Sequence, residues 1–443
     1  MLEPQSTLFF VLLVVVFIGL LWWMLVTKHL VLRILAALLA FASAMTFGIA
    51  TVNKYYDYYP TWGSAWSDLT SRGVPATSVS IAGGPHTTSA SLGHFDLAIA
   101  RQYGLTLHLR IHGRVSHITR SVYVFLPPQY FQPGSYQKYR FPVIELLHGF
   151  PGQPQDWITV LGVNTILDTL ISEHKADPAV LVMPDANGGR GISLQCLNQH
   201  RGPQDDTYLA KDLPSYIRHH LRVQPLGAGW GIAGYSEGGF CAANLGLQHG
   251  SIFNDAGVLS GYFRPDLNQL INPPRRVTAF ASKKQDRANT PIDLLRSLPL
   301  GRPIPQFWLG AGDGDAPDVH AAQNFSELLQ LRQPSVTLRL VPNAGHTMLT
   351  WRLLLPSMLQ WMTRGLAADD AYYNSAPARA RRHAEEQAKE RRARDHKLGQ
   401  KTGRKKAGQK KITPKITPRI TQHKPPGITA TKHKTPARTR ARG

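Results

Sequence analysis

The sequence predicts an α/β fold, in which a mostly parallel sheet carries helices on both faces, and three observations favour it. From residue 104 onward, short apolar runs typical of buried strands alternate with helical patterns. The string GYSEG at residues 234–238 joins one such run to one such helix. Two long apolar stretches precede this region, and their length predicts membrane helices rather than strands.

Each strand and helix of the sheet region is indicated by its apolar pattern. The predicted strands cover residues 105–111, 121–126, 143–147, 179–183, 230–233, 256–259, 306–309 and 336–340, and the predicted helices cover 163–171, 208–221 and 239–248. Alternation of this kind is typical of parallel strands connected by helices that cover the sheet.

The two apolar stretches, residues 8–26 and 34–52, are each long enough to cross a bilayer. The second continues past a possible signal-peptide cleavage site, which favours a retained two-helix hairpin. Lys28 and Arg33 lie in the connection, whereas residues 1–7 contain no Lys or Arg. The positive-inside rule therefore predicts a cytoplasmic connection and an extracytoplasmic chain after Val52. Buried helices of a soluble protein are the alternative.

Composition divides the 443 residues into four regions. We predict a membrane anchor at residues 1–52, an extracytoplasmic spacer rich in small residues at 53–103, the α/β domain at 104–366, and a basic tail at 367–443. Residues 379–443 carry +18 of the formal net charge of +22 and few large apolar side chains, which predicts disorder. Anionic lipids or envelope polymers are the expected partners of this tail, and nucleic acid is disfavoured by the outward location.

Ser236 is the candidate nucleophile, because it lies at the centre of the GYSEG string where a strand meets a helix. Gly234 and Gly238 lack Cβ atoms and so permit the sharp turn that exposes a serine hydroxyl above the sheet edge. A glycine-rich turn with a structural serine is the alternative interpretation.

A serine hydroxyl needs a base, and His346 is the best-placed histidine. It follows the last predicted strand in the string NAGHT, where a loop can return an imidazole to the sheet edge. Other histidines fit less well, since His219, His220 and His249 belong to helical patterns and those from His383 onward lie in the tail.

The carboxylate that orients the histidine is expected after the strand at 306–309. We favour Asp315 over Asp313, while Asp318 lies just beyond, and the remaining carboxylates are expected to cap a helix that begins near Val319. The chain order of serine, aspartate and histidine is that of α/β-hydrolases.

Two backbone N–H groups should stabilise an oxyanion, and we predict those of Phe150 and Glu237. His148 is expected to brace the loop that carries Phe150. The Glu237 side chain is expected to point into solvent; alternatively it faces the acyl site, either to select a cationic group or as a neutral acid.

The two cysteines, Cys196 and Cys241, both lie near the predicted site. Outside the cytoplasm they could form a disulfide, and two unpaired structural cysteines are the alternative. No cluster of His, Cys or Glu has metal-ligand spacing and no glycine-rich phosphate loop follows a strand, so neither a metal nor a cofactor is expected.

Together these features resemble the putative-esterase family of α/β-hydrolases, which includes feruloyl esterases, S-formylglutathione hydrolases and the mycolyltransferases of the actinobacterial envelope. The resemblance covers residues 104–364 and rests on FPVIELLHG (141–149), MPDAN (183–187), TYL (207–209) with DLP (212–214), and GYSEGG (234–239). The YYP string at 58–60 after apolar helices is similar to membrane-anchored actinobacterial members.

The resemblance implies a Ser236, Asp315 and His346 triad with oxyanion donors at Phe150 and Glu237. The expected function is that of a membrane-anchored serine esterase acting on acyl esters of envelope lipids or glycolipids. An acyltransferase of the mycolyltransferase type is one alternative, and an envelope protein that binds polyanions through the basic tail is another.

Overall fold

The computed structural model describes residues 2–69, 76–78, 95–189, 191–266, 280, 282–299, 302, 304–332 and 336–366. The predicted disordered tail at 367–443 lies outside the described residues, as does most of the later half of the predicted spacer. The described part of that spacer contains regular structure, namely the last turn of a long helix, two short helices and one short strand.

Nine strands and thirteen α-helices are formed by the described residues. The strands are β1 (Ala76–Ser78), β2 (Leu105–His112), β3 (Thr119–Leu126), β4 (Val143–Leu147), β5 (Val180–Pro184), β6 (Gly227–Tyr235), β7 (Phe253–Leu259), β8 (Gln306–Gly312) and β9 (Thr337–Val341). The helices are α1 (Thr7–Val26), α2 (Leu30–Tyr56), α3 (Trp62–Leu69), α4 (Leu97–Tyr103), α5 (Asp156–Thr159), α6 (Val163–Ser172), α7 (Asp205–Thr207), α8 (Leu213–His220), α9 (Glu237–Gln248), α10 (Lys283–Ala288), α11 (Pro291–Ser297), α12 (Ala316–Gln330) and α13 (Met348–Gly365). A π-helical turn at Tyr208–Asp212 joins α7 to α8.

All nine strands form one sheet in the order β1-β2-β3-β5-β4-β6-β7-β8-β9. Strand β3 is antiparallel to both of its neighbours, and the other pairs are parallel. The prediction of a mostly parallel α/β sheet is therefore confirmed. Because Leu147 pairs with Gly234, β4 and β6 end side by side, and the loops that follow them meet at one edge of the sheet.

Helices cover both faces of this sheet, as the side chains of β4 show. Val143 and Leu147 belong to an apolar cluster that includes Phe240 of α9, whereas Ile144 and Leu146 pack in a second cluster with Leu354 of α13. Successive strand residues point to opposite faces, so two separate cores lie on either side of β4. Packing on both faces fixes the positions of the strand ends, and the loops that follow these ends carry the site.

The first two helices, α1 and α2, are long enough and apolar enough to cross a membrane. The hydroxyl of Ser43 donates to the carbonyl of Leu13 at 3.1 Å, which joins the two helices. After α2 the chain returns to the start of α1: the indole N–H of Trp62 donates to the carbonyl of Leu2 at 2.6 Å, and the backbone N–H of Trp62 donates to a carboxylate oxygen of Glu3 at 3.0 Å. The N-terminal segment and the segment after α2 therefore lie together.

Candidate active site

Ser236 lies in the sharp turn between β6 and α9. Its backbone has φ 55° and ψ −120°, a conformation that is strained for a residue with a Cβ atom. The turn is closed by backbone of the flanking glycines, since a Cβ atom on Gly234 would overlap Gly238 and one on Gly238 would overlap the carbonyl of Leu147. No other residue type fits these two positions, which explains why the sequence places glycine on both sides of the serine.

His346 lies in the loop between β9 and α13 and reaches back to the serine. Its Nε2 atom is 2.9 Å from the Oγ atom of Ser236, which is hydrogen-bonding distance. The imidazole packs edge-to-face with Trp351 of α13, with ring centroids 5.1 Å apart. Two elements that are far apart in sequence thus bring a hydroxyl and an imidazole into direct contact.

Two carboxylates, not one, face the other side of the imidazole. The Nδ1 atom of His346 lies 3.1 Å from an oxygen of Asp315 and 2.6 Å from an oxygen of Asp318. The alternative candidate, Asp313, instead accepts the backbone N–H of Asn343 at 2.6 Å. Helix α12 begins at Ala316 rather than near Val319, which places both carboxylates in or beside its first turn.

These carboxylates change the protonation of the imidazole. Burial by itself lowers the pKa of His346, but Asp318 and then Asp315 outweigh burial and raise the pKa above its ordinary value of 6.5. The pKa of Asp315 is raised by burial and by the neighbouring Asp318. The arrangement therefore stabilises an imidazolium at His346.

The loop after β4 lies against the serine turn. A Cβ atom on Gly149 would come within 3.0 Å of the Cβ atom of Ser236. The buried ring of His148 braces this loop, because its Nδ1 atom lies 2.8 Å from the carbonyl oxygen of Gly149 and its Nε2 atom accepts the N–H of Ala186 at 3.1 Å. Phe150 follows in the same loop, and Glu237 is the first residue of α9, so both predicted oxyanion donors belong to segments that adjoin the serine.

The side chain of Glu237 does not point into solvent, and that prediction was wrong. The residue is 1% exposed, and the hydroxyl of Ser193 donates to its carboxyl oxygen at 2.5 Å. The chain after β5 passes over the start of α9 and covers this carboxyl. Burial is the largest influence on the pKa of Glu237 and raises it above the ordinary value of 4.5.

A disulfide connects the same segment to α9. Cys196 and Cys241 are bonded, with Cα atoms 5.6 Å apart. Because Cys241 is in the second turn of α9, the bond holds the segment that carries Ser193 beside the serine turn.

Two contacts were not predicted from the sequence: that of Asp318 with His346 and that of Ser193 with Glu237. Asp318 had a usable signal, since residues three apart on a helix lie on the same face, and Asp315 immediately precedes α12. Ser193 had none, because it lies in an irregular segment whose path depends on packing.

Among the described residues, Asp315, Asp318 and His346 form a group with metal-ligand atoms within 4.8 Å of one another. A cation there would take the Nδ1 atom of His346, the atom that otherwise bonds to the carboxylates. The observed contacts are those expected of an oriented imidazole.

A mostly parallel sheet with a serine at a strained strand-to-helix turn, in contact with a histidine, is typical of an α/β-hydrolase. The chain belongs to the family described as "Putative esterase", whose model matches residues 117–362, and it is therefore a carboxylic ester hydrolase.

The individual proteins that resemble this chain share 26% or less of its sequence in the aligned regions. The chain is 26% identical to an uncharacterized protein of Corynebacterium glutamicum over 343 residues, which covers 75% of this chain and 76% of the relative. The structure of a ferulic acid esterase aligns with a TM-score of 0.52 at 20% identity, covering 59% of this chain and 98% of that protein. A fluorophosphonate-binding serine hydrolase of Staphylococcus aureus aligns with a TM-score of 0.48 at 18% identity, covering 59% and 98%. At 20% identity, the likeness to the ferulic acid esterase concerns the fold alone.

Proposed function

We propose that the protein is a membrane-anchored serine esterase that hydrolyses carboxylic esters of envelope lipids or glycolipids. The observation that carries this proposal is the 2.9 Å contact between the Oγ atom of Ser236 and the Nε2 atom of His346. A serine within hydrogen-bonding distance of an imidazole that is itself oriented by carboxylates is the arrangement that acyl transfer to serine requires.

The proposed reaction has two halves. As the Oγ atom of Ser236 attacks the ester carbonyl, Nε2 of His346 takes the hydroxyl proton, and Asp318 and Asp315 stabilise the imidazolium that forms. The imidazolium then protonates the leaving alcohol, which gives an acyl-serine. Water attacks this intermediate in the same way, its proton passes to His346 and back to Ser236, and the carboxylic acid leaves.

Both halves pass through a tetrahedral oxyanion. We propose that the backbone N–H groups of Phe150 and Glu237 stabilise it. Support comes from the contact of Gly149 with Ser236 and from the position of Glu237 at the start of α9, where the helix dipole favours negative charge.

The membrane location rests on α1 and α2 and on the charges between them. Both helices are long and apolar enough to span a bilayer. Lys28 and Arg33 in and near the connection favour its cytoplasmic placement. The remainder of the chain, including the basic tail at 367–443 with its anionic lipid or polymer partners, would then be extracytoplasmic.

Hydrolysis of p-nitrophenyl esters by the full chain in detergent tests the proposal. We expect turnover by the wild type and loss of at least about 10³-fold in kcat for Ser236→Ala. Ser64→Ala, which changes a half-buried serine of α3 outside the site, serves as the control. Turnover that survives in Ser236→Ala would contradict the proposal. A wild type that fails to release acid but acylates an added alcohol would instead identify an acyltransferase.

A further inference from the structure

An apolar cleft lies between the last turns of α2 and the loop that follows β4. Its volume is about 270 Å³, close to the lower end of the range of small-molecule sites. Residues from both sides line it: Ile49, Val52, Tyr58, Tyr59, Pro151 and Gly152. The cleft therefore joins the predicted membrane helix to the loop beside the catalytic serine.

One wall of the cleft continues the outer surface of α2. Ile49 and Val52 are three residues apart and so lie on one face of the helix. They are 66% and 55% exposed, although both are large apolar side chains. In a bilayer this face would contact lipid, and a hydrocarbon chain could pass along it into the apolar part of the cleft, whose lining also includes the polar residues Asn53, Gln153 and Asp156.

The opposite wall belongs to the loop that adjoins Ser236. A Cβ atom on Gly152 would lie 2.7 Å from the carbonyl oxygen of Gly149, and Gly149 itself abuts the serine turn. Pro151 directly follows Phe150, the proposed oxyanion donor. One wall of the cleft is therefore part of the same loop that carries the proposed oxyanion donor and abuts the serine turn.

One hydrogen bond joins the two walls, and two others order the wall that follows α2. The hydroxyl of Tyr58 donates to the carbonyl of Pro151 at 2.5 Å. The Asn53 side chain accepts the N–H of Tyr59 at 2.8 Å and donates to its carbonyl at 2.9 Å, which fixes the turn after α2. The cleft is thus preformed, and binding in it costs little ordering of the protein.

We propose that this cleft binds the acyl chain of the ester substrate, drawn from the bilayer along α2. This inference rests on the proposed esterase function and names the class of its substrate, a long-chain acyl ester. We favour the acyl chain of the substrate over a structural lipid as the occupant of the cleft. One wall is the loop beside Ser236, and a substrate has to bind next to this residue whereas a structural lipid does not.

Filling the cleft should affect long acyl chains and spare short ones. The test compares the full-length variant Val52→Trp with Val31→Trp in detergent micelles, using p-nitrophenyl palmitate and p-nitrophenyl butyrate. Val31 is also an exposed valine of α2, at 76%, but lies at the far end of the helix. We expect Val52→Trp to lower kcat/KM for palmitate about tenfold while butyrate stays within about twofold, and Val31→Trp to resemble the wild type with both esters.

Butyrate turnover also reports folding, so loss of the palmitate activity alone supports the proposal. Unchanged palmitate turnover in Val52→Trp, equal losses with both esters, or an equal effect of Val31→Trp would each overturn it. Failure of the esterase proposal looks different, because Ser236→Ala would then still hydrolyse butyrate.

Discussion

The Oδ2 atom of Asp318 lies 2.6 Å from the Nδ1 atom of His346. Among the described residues, this is the shorter of the two contacts between a carboxylate and this imidazole. Asp315 shares the same nitrogen at 3.1 Å. The imidazole is therefore oriented by a pair of acids from the first turn of α12 and the residue before it.

Because the acids share one nitrogen, each should partly replace the other. We expect Asp315→Asn or Asp318→Asn alone to lower kcat/KM by less than about 100-fold and the double variant to lower it by about 10⁴-fold. Steady-state hydrolysis of p-nitrophenyl butyrate measures all three. If one single variant already matches the double variant, that aspartate acts alone.

The pH dependence should follow the same contacts. The base must be neutral to accept the serine proton, and the carboxylates raise the pKa of His346 above 6.5, so kcat/KM should rise with pH through a midpoint above 6.5. In Asp315→Asn/Asp318→Asn, burial remains and lowers the pKa, so the midpoint should move to lower pH. Asp313→Asn is the matched control, since Asp313 bonds to Asn343 and not to the imidazole. A midpoint that stays in place in the double variant would exclude the carboxylates as the cause.

Glu237 should make the protein less stable at high pH. Its folded pKa is raised by burial, so above the unfolded value of 4.5 the native state binds more protons and stability falls as pH rises towards the folded pKa. Glu237→Gln keeps an acceptor for the hydroxyl of Ser193. Between pH 5 and pH 8, the Tm of this variant should fall by less than the Tm of the wild type. Glu237→Ala removes the acceptor and should cost about 1–3 kcal/mol at pH 5, and less relative to the wild type at pH 8, where the wild type itself is destabilised. Parallel Tm curves for wild type and Glu237→Gln would show that the carboxyl does not titrate in this range.

Reduction of the disulfide should destabilise the protein. The bond between Cys196 and Cys241 closes a loop across 45 positions of sequence, and its loss is expected to lower the free energy of unfolding by about 2–4 kcal/mol. Denaturant unfolding with and without dithiothreitol measures this difference. The double variant Cys196→Ser/Cys241→Ser should be equally unstable in both conditions, and a wild type insensitive to the reductant would contradict the expectation.

The centre of the sheet could be predicted because its strands β4 to β8 are buried on both faces along most of their length. The apolar run at 143–147 coincides with β4, and the run at 306–309 lies within β8, which continues to Gly312 through small residues that carry little strand signal. Ser236 and His346 could be selected because parallel strands end at one edge, where the following loops meet.

What could not be predicted depends on packing between irregular segments. The string of aspartates after β8 offers several carboxylates within one helical turn, and only the position of His346 shows which of them it contacts. The orientation of Glu237 depends on the segment after β5, whose path is held by the disulfide and by Ser193. Neither feature has a periodic pattern in the sequence.

The hydrogen bond from Tyr58 to Pro151 has a kinetic consequence. If α1 and α2 lie in a bilayer and Ser236 is the nucleophile, this bond would help to hold the loop beside the serine close to the membrane surface. The enzyme would then meet its substrate by lateral diffusion, and its rate would depend on the surface density of the ester rather than on the bulk concentration. Mixing a non-hydrolysable lipid into vesicles would slow turnover even while the total amount of substrate stayed the same.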